Sequence, residues 1–410
     1  MKLNLSPVGM LAAMCLAEVL GMTAFATFPA LLPTFMGEWE LGGTEAGWIL
    51  GVYFAGYLLS VPVLVSLTDR IDPRRIYLAA MALCLVSTLG FAVAADGLVS
   101  ASLWRFLQGV GLGGTYMPGL KALTDALPDR MQSRAVAFYT ASFGIGSSLS
   151  FVLAGEIEAA LDWQWAFGLS AIGPAVAILL AMVILKPAPP AQADKPTTKL
   201  LDFRPVFANR RALTFTFAYC VHNWELFGYR SWIVAFLVFA QLQQPEGALG
   251  ITWSVTLLAA AVNLIGLPAS VIGNEAAHRF GRRPVLIAVM SVSAAMAVLL
   301  AWSGATLPFI VVVVFAFIYG VTVIADSATI TAGVIASADP SYRGATMAVH
   351  SMIGFVGSFL GPLAFGLALD LGGGETSGTA WIIAFASLSA VVLIGPLLLM
   401  TIGRRATHGS

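Results

Sequence analysis

The sequence is short of charge and of cysteine. Of its 410 residues 10% are charged, and the 21 basic residues equal the 21 acidic ones. So few charges cannot supply the polar surface of a soluble domain, and without a basic excess the chain is not suited to nucleic acid. The three cysteines, Cys15, Cys84 and Cys220, fall within apolar runs and predict packing residues rather than disulfides. These shortages exclude disordered, fibrous and nucleic-acid-binding classes.

Long apolar runs fill most of the chain, which is 59% hydrophobic. A helix needs about 20 apolar residues to cross a bilayer. Twelve such runs lie near residues 8–35, 45–67, 76–95, 99–121, 134–158, 165–186, 212–240, 249–273, 285–303, 307–332, 345–369 and 379–402. They are continuously apolar, which favours helices over barrel strands. The sequence predicts an all-α, multi-pass membrane protein with twelve transmembrane helices in a bacterial-type inner (plasma) membrane.

Lysine and arginine are confined to alternate loops. They cluster between runs 2 and 3, 4 and 5, 6 and 7, 8 and 9, and 10 and 11, whereas the opposite loops hold acidic residues such as Glu45 and Asp162. Loops rich in lysine and arginine stay in the cytoplasm. We therefore expect both termini to be cytoplasmic.

A polar linker at residues 187–211 divides the chain into two halves. We expect six-helix bundles at 1–186 and 212–410, and the halves resemble each other. Glu18 is followed by a glycine three residues on and an aromatic four beyond that, and Glu225 is followed by the same pattern. The sequence therefore predicts two pseudo-symmetric bundles.

Three local patterns strengthen this prediction. Residues 69–75 read DRIDPRR, residues 278–283 read HRFGRR, and residues 105–111 read RFLQGVG. With the two six-helix halves, these patterns resemble the major facilitator superfamily of secondary transporters. The chain departs from the family pattern in lacking the glycines usual at Val65 and Asp72. It also lacks the Gly-Pro motif that the family's antiporters usually carry in helix 5.

The resemblance implies a latch of charged loop residues at the cytoplasmic surface. It would consist of Asp69, Arg70, Arg74, Arg75, Arg279, Arg282, Arg283 and Arg343. The alternative is that the arginines only anchor the loops on the cytoplasmic side.

Several polar side chains fall inside apolar runs, where a charge costs about 2.5–3.5 kcal/mol. We expect them to bind substrate or protons: Glu18, Arg105, Gln108, His222, Glu225, Arg230 and Asp326. Fixed structural pairs and helix packing are the alternative, and His350 is interpreted as a packing residue.

Spacing suggests how these groups meet. If Arg105 pairs with Glu18, protonation of the glutamate would free the arginine for substrate. His222 and Glu225 share one helix face, whereas Arg230 is turned about 140° away, so joining it to Glu225 requires a break at Gly228.

We therefore expect a transporter that moves a small polar, possibly anionic, solute by alternating access in proton-coupled symport. One alternative is a proton-coupled exporter of amphiphilic, drug-like compounds, and another is a non-transporting sensor on the same scaffold. No hydrolase, metal or nucleotide motif is present. The sequence therefore predicts neither enzyme activity nor a cofactor, and we expect a monomer that contacts substrate, protons and lipid.

Overall fold

A computed structural model describes residues 6–187, 203–245, 254–339 and 342–401. Within these ranges the chain is helical and contains no strand. The helices are α1 (Pro7–Gly21), α2 (Thr27–Ala30), α3 (Leu32–Glu38), α4 (Gly43–Leu67), α5 (Pro73–Ala94), α6 (Leu98–Ala126), α7 (Asp129–Ala160), α8 (Trp163–Ser170), α9 (Ile172–Ile184), α10 (Arg204–Ala208), α11 (Arg210–Leu242), α12 (Val255–Phe280), α13 (Arg282–Thr306), α14 (Phe309–Thr322), α15 (Ser327–Ser337), α16 (Arg343–Leu371), α17 (Gly378–Val392) and α18 (Ile394–Thr401).

Nine helical segments of the described chain are long and apolar enough to cross a membrane. They are α4, α5, α7, α8 with α9, α12, α13, α14 with α15, α16, and α17 with α18. The other three predicted runs coincide with α1 to α3, α6 and α11. Both α6 and α11 carry buried charged side chains. The chain is an integral, multi-pass membrane protein, and the count of twelve spans stays a prediction.

Side chains cap the start of several helices. Asp72, Asp162, Asn209, Ser254 and Ser377 each accept a hydrogen bond from a backbone N–H in the first turn that follows. Such caps satisfy donors that have no partner within the helix. They therefore fix where α5, α8, α11, α12 and α17 begin.

The first predicted run is broken into three helices rather than one. Between α1 and α2, Ser150 of α7 donates to the carbonyl of Thr23 (2.7 Å) and accepts from the N–H of Ala26 (2.9 Å). The Thr23 hydroxyl in turn donates to the carbonyl of Ser170 (2.7 Å). An apolar bilayer offers no water to an interrupted helix, so these hydroxyls stabilise the break.

The chain divides into two compact units. The first unit consists of Met1–Leu31 and Val52–Pro196, and the second consists of Leu32–Gly51 and Thr197–Ser410. Helix α4 therefore begins in the second unit and ends in the first. The predicted domain boundaries at 186 and 212 stay a prediction.

Inside the first unit, Gly109 of α6 brings its helix into backbone contact with α4. A Cβ at this position would collide with the carbonyl oxygen of Tyr53. Small residues allow such close approach between membrane helices.

We expect Gly109→Leu to destabilise the protein by about 1–3 kcal/mol through overpacking. Thermal unfolding in detergent measures this loss. Gly168→Leu is the matched control, because a Cβ there meets open space, and an equal loss in both variants would contradict the packing argument.

Candidate functional site

Glu225 lies at the centre of a polar cluster in the second unit. Its carboxylate is 1% exposed. The Ser293 hydroxyl on α13 donates to Oε1 (2.9 Å), and the Tyr319 hydroxyl on α14 donates to the same oxygen (3.1 Å). Neither donor carries a charge, so the hydrogen bonds that this carboxylate accepts within the described chain come from neutral hydroxyls. Such a group can gain a proton without breaking an ion pair.

A second acidic group of this unit pairs with histidine. His222 Nδ1 on α11 lies 2.7 Å from Oδ1 of Asp326, and the two side chains are 1% and 3% exposed. Asp326 occupies the turn that separates α14 from α15, so the helix break places its carboxylate beside α11. The Asp326 carboxylate lies close enough to Glu225 for the two acidic groups to interact electrostatically.

Two histidines flank one tyrosine ring in this region. The Tyr219 ring stacks on His350 at 4.2 Å between centroids and on His222 at 5.7 Å. His350 of α16 is buried, and its Nδ1 has no hydrogen-bond partner among the described residues. The ring stacking agrees with the interpretation of His350 as a packing residue.

We expect Asp326→Asn to destabilise the protein by about 3–5 kcal/mol, because it leaves a buried histidine without its carboxylate. Chemical unfolding in detergent measures the change. Asp125→Asn is the control: it breaks the exposed Lys121–Asp125 pair (3.1 Å), and such a surface pair contributes at most about 1 kcal/mol. An equal loss of unfolding free energy in the two variants would show that the buried His222–Asp326 pair stabilises the protein no more than the exposed pair.

Arg105 is the buried cation of the first unit. Its guanidinium donates from Nη1 to Oε1 of Gln108 (2.9 Å) and lies 4.3 Å from the ring centroid of Tyr53 and 5.6 Å from that of Phe28. Gln108 Nε2 donates in turn to the Thr88 hydroxyl (3.5 Å). Within the described chain Arg105 forms no ion pair. The neighbours of this positive charge are therefore two aromatic rings and one side-chain amide.

A small pocket adjoins this group. Its lining includes Phe25, Tyr53, Thr88, Gln108 and Thr115. The lining combines aromatic surface with hydroxyl and amide groups, and two of these residues contact Arg105 directly. The pocket therefore offers aromatic, hydroxyl and amide surface close to Arg105, which does not itself line it.

Glu18 occupies a different environment from Arg105. Its buried carboxylate lies near the hydroxyls of Tyr139 and Tyr77, and its Oε1 has no hydrogen-bond partner among the described residues. Both rings belong to a hydrophobic core that also contains Met14 and Ala17 of α1. The structure does not contain the Glu18–Arg105 ion pair considered from the sequence. The neighbours of the Glu18 carboxylate are tyrosines rather than a cation.

Arg230 stays apart from Glu225. Helix α11 continues without interruption through Gly228, which packs against Leu388, so the break considered from the sequence does not occur. Arg230 is only partly buried, lies next to Tyr229 and forms no ion pair with any residue that the structure describes.

Two arginines of the expected cytoplasmic latch cap helix ends. Arg74 Nη2, at the start of α5, donates to the carbonyl of Met182 near the end of α9 (3.1 Å). Arg283 Nη2, at the start of α13, donates to the carbonyl of Met400 near the end of α18 (3.0 Å). A cation stabilises the carbonyl end of a helix. Each unit thus uses one such contact within itself.

The other latch residues lie on or near the surface. Arg282 is partly buried, and Arg279 lies 5.4 Å from the Phe280 ring. The exposed members are Asp69, Arg70, Arg75, Arg279 and Arg343. A latch that joins them stays a prediction.

Sequence reasoning missed four partners of the buried charges: Tyr53, Tyr139, Ser293 and Tyr319. Each is a hydroxyl residue inside an apolar run. Hydroxyl side chains are common in membrane helices, and the neighbouring helix that each one meets is not visible in the sequence. Their sequence position therefore did not distinguish them.

Comparison with known proteins places these features in context. The family model described as Major Facilitator Superfamily matches residues 14–255, and the model described as Sugar (and other) transporter matches residues 213–402. The chain is also similar to a solved structure of a mutant nucleoside transporter NupG. That likeness has a TM-score of 0.75 and 16% identity and covers 96% of this chain and all of the other, so it concerns the fold alone.

Several curated relatives have names that specify a substrate. The gentisate transporter of Corynebacterium glutamicum is 25% identical over 369 residues, which cover 87% of this chain and 80% of that protein. The niacin transporter NiaP of Acinetobacter baylyi is 24% identical over 156 residues, which cover 38% of this chain and 35% of that protein. Other relatives at similar identity are named as multidrug and sphingolipid transporters.

Proposed function

Because the chain belongs to the major facilitator superfamily, we propose that it is a secondary transporter that carries a small organic anion with protons by alternating access. The family implies transport rather than catalysis. The proposed architecture has twelve spans, two six-helix bundles at 1–186 and 212–410, a linker at 187–211, and both termini in the cytoplasm. The proposed form is a monomer in a bacterial-type inner membrane.

The observation that carries the proposal is the environment of Arg105. A guanidinium buried in a membrane costs up to about 2.5–3.5 kcal/mol, the value at the centre of a spanning helix, and contact with an aromatic ring offsets about 0.5–2 kcal/mol of this cost. Part of the free-energy cost of burying Arg105 therefore remains, and binding of an anion beside the guanidinium would offset it. A guanidinium can also bind both oxygens of a carboxylate at once.

The substrate class that we propose is an aromatic carboxylate. Gentisate and niacin, the substrates in the names of two relatives, both combine an aromatic ring with a carboxylic acid. The Tyr53 and Phe28 rings beside Arg105, with Phe25 in the adjoining pocket, offer surfaces for such a ring. In this scheme Arg105 and Gln108 bind the carboxylate.

Proton coupling is assigned to the buried acids. Glu225 interacts with neutral hydroxyls, Glu18 lies among tyrosines, and His222 shares a proton-bearing pair with Asp326. Protonation neutralises each carboxylate and changes what it can bind. Arg230, which no acid neutralises in the described chain, is proposed as a second anion contact.

Uptake by proteoliposomes tests this function. With an acidic exterior we expect labelled gentisate or nicotinate to accumulate inside, and a protonophore to abolish the accumulation. Expulsion of amphiphilic dyes without uptake of either acid would favour the exporter. Binding without flux would favour the sensor.

A further inference from the structure

The break between α1 and α2 forms one wall of the pocket that adjoins Arg105. Helix α1 ends at Gly21, and Gly21, Ala24 and Phe25 line the pocket. The Phe25 ring packs edge-on against the Tyr53 ring, at 5.5 Å between centroids. The hydroxyl hydrogen bonds that stabilise the break therefore also hold this wall in place. Every lining residue belongs to the first unit, so the pocket is complete within that unit.

The other wall of the pocket is polar. The side chains of Thr88, Gln108 and Thr115 line it and are 1%, 4% and 3% exposed. The Thr115 hydroxyl donates to the carbonyl of Leu112 (3.0 Å). Because Oε1 of Gln108 accepts from Arg105, the amide presents Nε2 to the Thr88 oxygen (3.5 Å). Thr88 is thus the acceptor in this bond, and its own O–H has no acceptor among the described residues.

The size of the pocket limits what can enter it. Its free space is about 20 Å³. A single water molecule needs at least about 10–15 Å³ of such space, so the pocket holds one group of the size of a hydroxyl and excludes a whole aromatic ring. Gln108 bonds to Arg105 and also lines the pocket. The pocket therefore lies directly beside the guanidinium that binds the substrate carboxylate in the proposed function.

We propose that this pocket is a subsite for a hydrogen-bond acceptor on the substrate ring, and that the Thr88 hydroxyl recognises this acceptor. The ligand class is a monocyclic aromatic carboxylate that carries a ring hydroxyl or a ring nitrogen. Unsubstituted benzoate would leave the buried Thr88 donor unpaired, which costs binding free energy. This inference rests on the proposed function, which places the carboxylate on Arg105, and it narrows the substrate class.

Nicotinate and benzoate test the subsite because they share size and charge and differ only in one ring atom, nitrogen in place of C–H. Equilibrium binding of each acid to the purified full chain is measured at neutral pH. We expect nicotinate to bind about tenfold more tightly, since it accepts a hydrogen bond that benzoate cannot accept. Thr88→Val replaces the hydroxyl with a methyl group of similar size, and it should bring the ratio of the two affinities to about one.

The matched control is Thr124→Val, which makes the same exchange in α6. The Thr124 hydroxyl donates to the carbonyl of Leu120 within its own helix (3.0 Å), so the ratio should stay at about tenfold. Thr88→Ala replaces Thr88→Val if the latter does not fold, and the ratio in the unaltered protein tests the subsite without any variant. Equal affinities in the unaltered protein, or a preference for nicotinate that persists in folded Thr88→Val, would overturn the subsite.

The outcomes separate this inference from the proposed function. Equal binding of both acids overturns the subsite alone, because an anion site at Arg105 requires only the carboxylate. Binding of neither acid overturns the subsite and the proposed substrate class together. A preference for nicotinate that Thr88→Val abolishes, in a protein that accumulates neither acid under a pH gradient, would support the subsite and refute the proposed transport.

Discussion

Glu225→Gln is expected to abolish the concentrative uptake that a pH gradient drives. One pH unit stores about 1.4 kcal/mol per proton, which supports about tenfold accumulation of a co-transported anion. Glutamine keeps the size of the side chain and can still accept from Ser293 and Tyr319, but it cannot bind and release a proton. The variant should therefore bring the inner and outer concentrations of labelled gentisate to equality. Glu18→Gln should give the same result if both halves carry protons.

The matched control is Glu156→Gln, which removes an exposed carboxylate of α7. It should accumulate gentisate as the unaltered protein does. Exchange of labelled for unlabelled gentisate across the membrane should persist in Glu225→Gln, because exchange needs no net proton movement. Full accumulation in Glu225→Gln and Glu18→Gln would show that these acids are structural.

Arg105→Ala is expected to weaken equilibrium binding of gentisate or nicotinate by about 100-fold. A charge-assisted hydrogen bond contributes about 1.5–3 kcal/mol, and the variant loses at least one such bond together with the stacked cation. Arg105→Lys keeps the charge but loses the planar fork, so we expect its affinity to lie between those of Arg105→Ala and the unaltered protein.

Arg134→Ala is the control for loss of positive charge, because Arg134 is exposed at the start of α7. It should bind both acids normally. Thermal unfolding separates loss of binding from loss of folding. If folded Arg105→Ala binds both acids with unaltered affinity, Arg105 is a packing residue and the anion site lies elsewhere.

Much of the fold could be predicted from the sequence because hydropathy reports helices directly. Each of the twelve predicted runs coincides with one or more helices in the described residues. The breaks were not predictable from hydropathy. The gap between α1 and α2 is stabilised by Ser150, which lies 127 residues from Thr23, and an apolar run gives no sign of such a distant hydroxyl.

The candidate site was predictable in its charges but not in its pairs. The cost of burial singled out Glu18, Arg105, Glu225 and Asp326, and all four are buried. Which group meets which depends on how helices rotate against one another. Spacing along α11 correctly placed His222 and Glu225 on one helix face, but it did not identify the partner of His222. That partner is Asp326, because the helix break after α14 positions the Asp326 carboxylate beside α11.

The central claim is that an organic anion and protons move together through this protein, and one measurement tests it directly. Proteoliposomes with a pH-sensitive dye in the lumen, and no initial pH gradient, receive gentisate or nicotinate outside. The account predicts that the lumen acidifies as the labelled acid enters, and that Glu225→Gln removes the acidification. Entry of the labelled acid at constant luminal pH, or no entry of either acid, would contradict it.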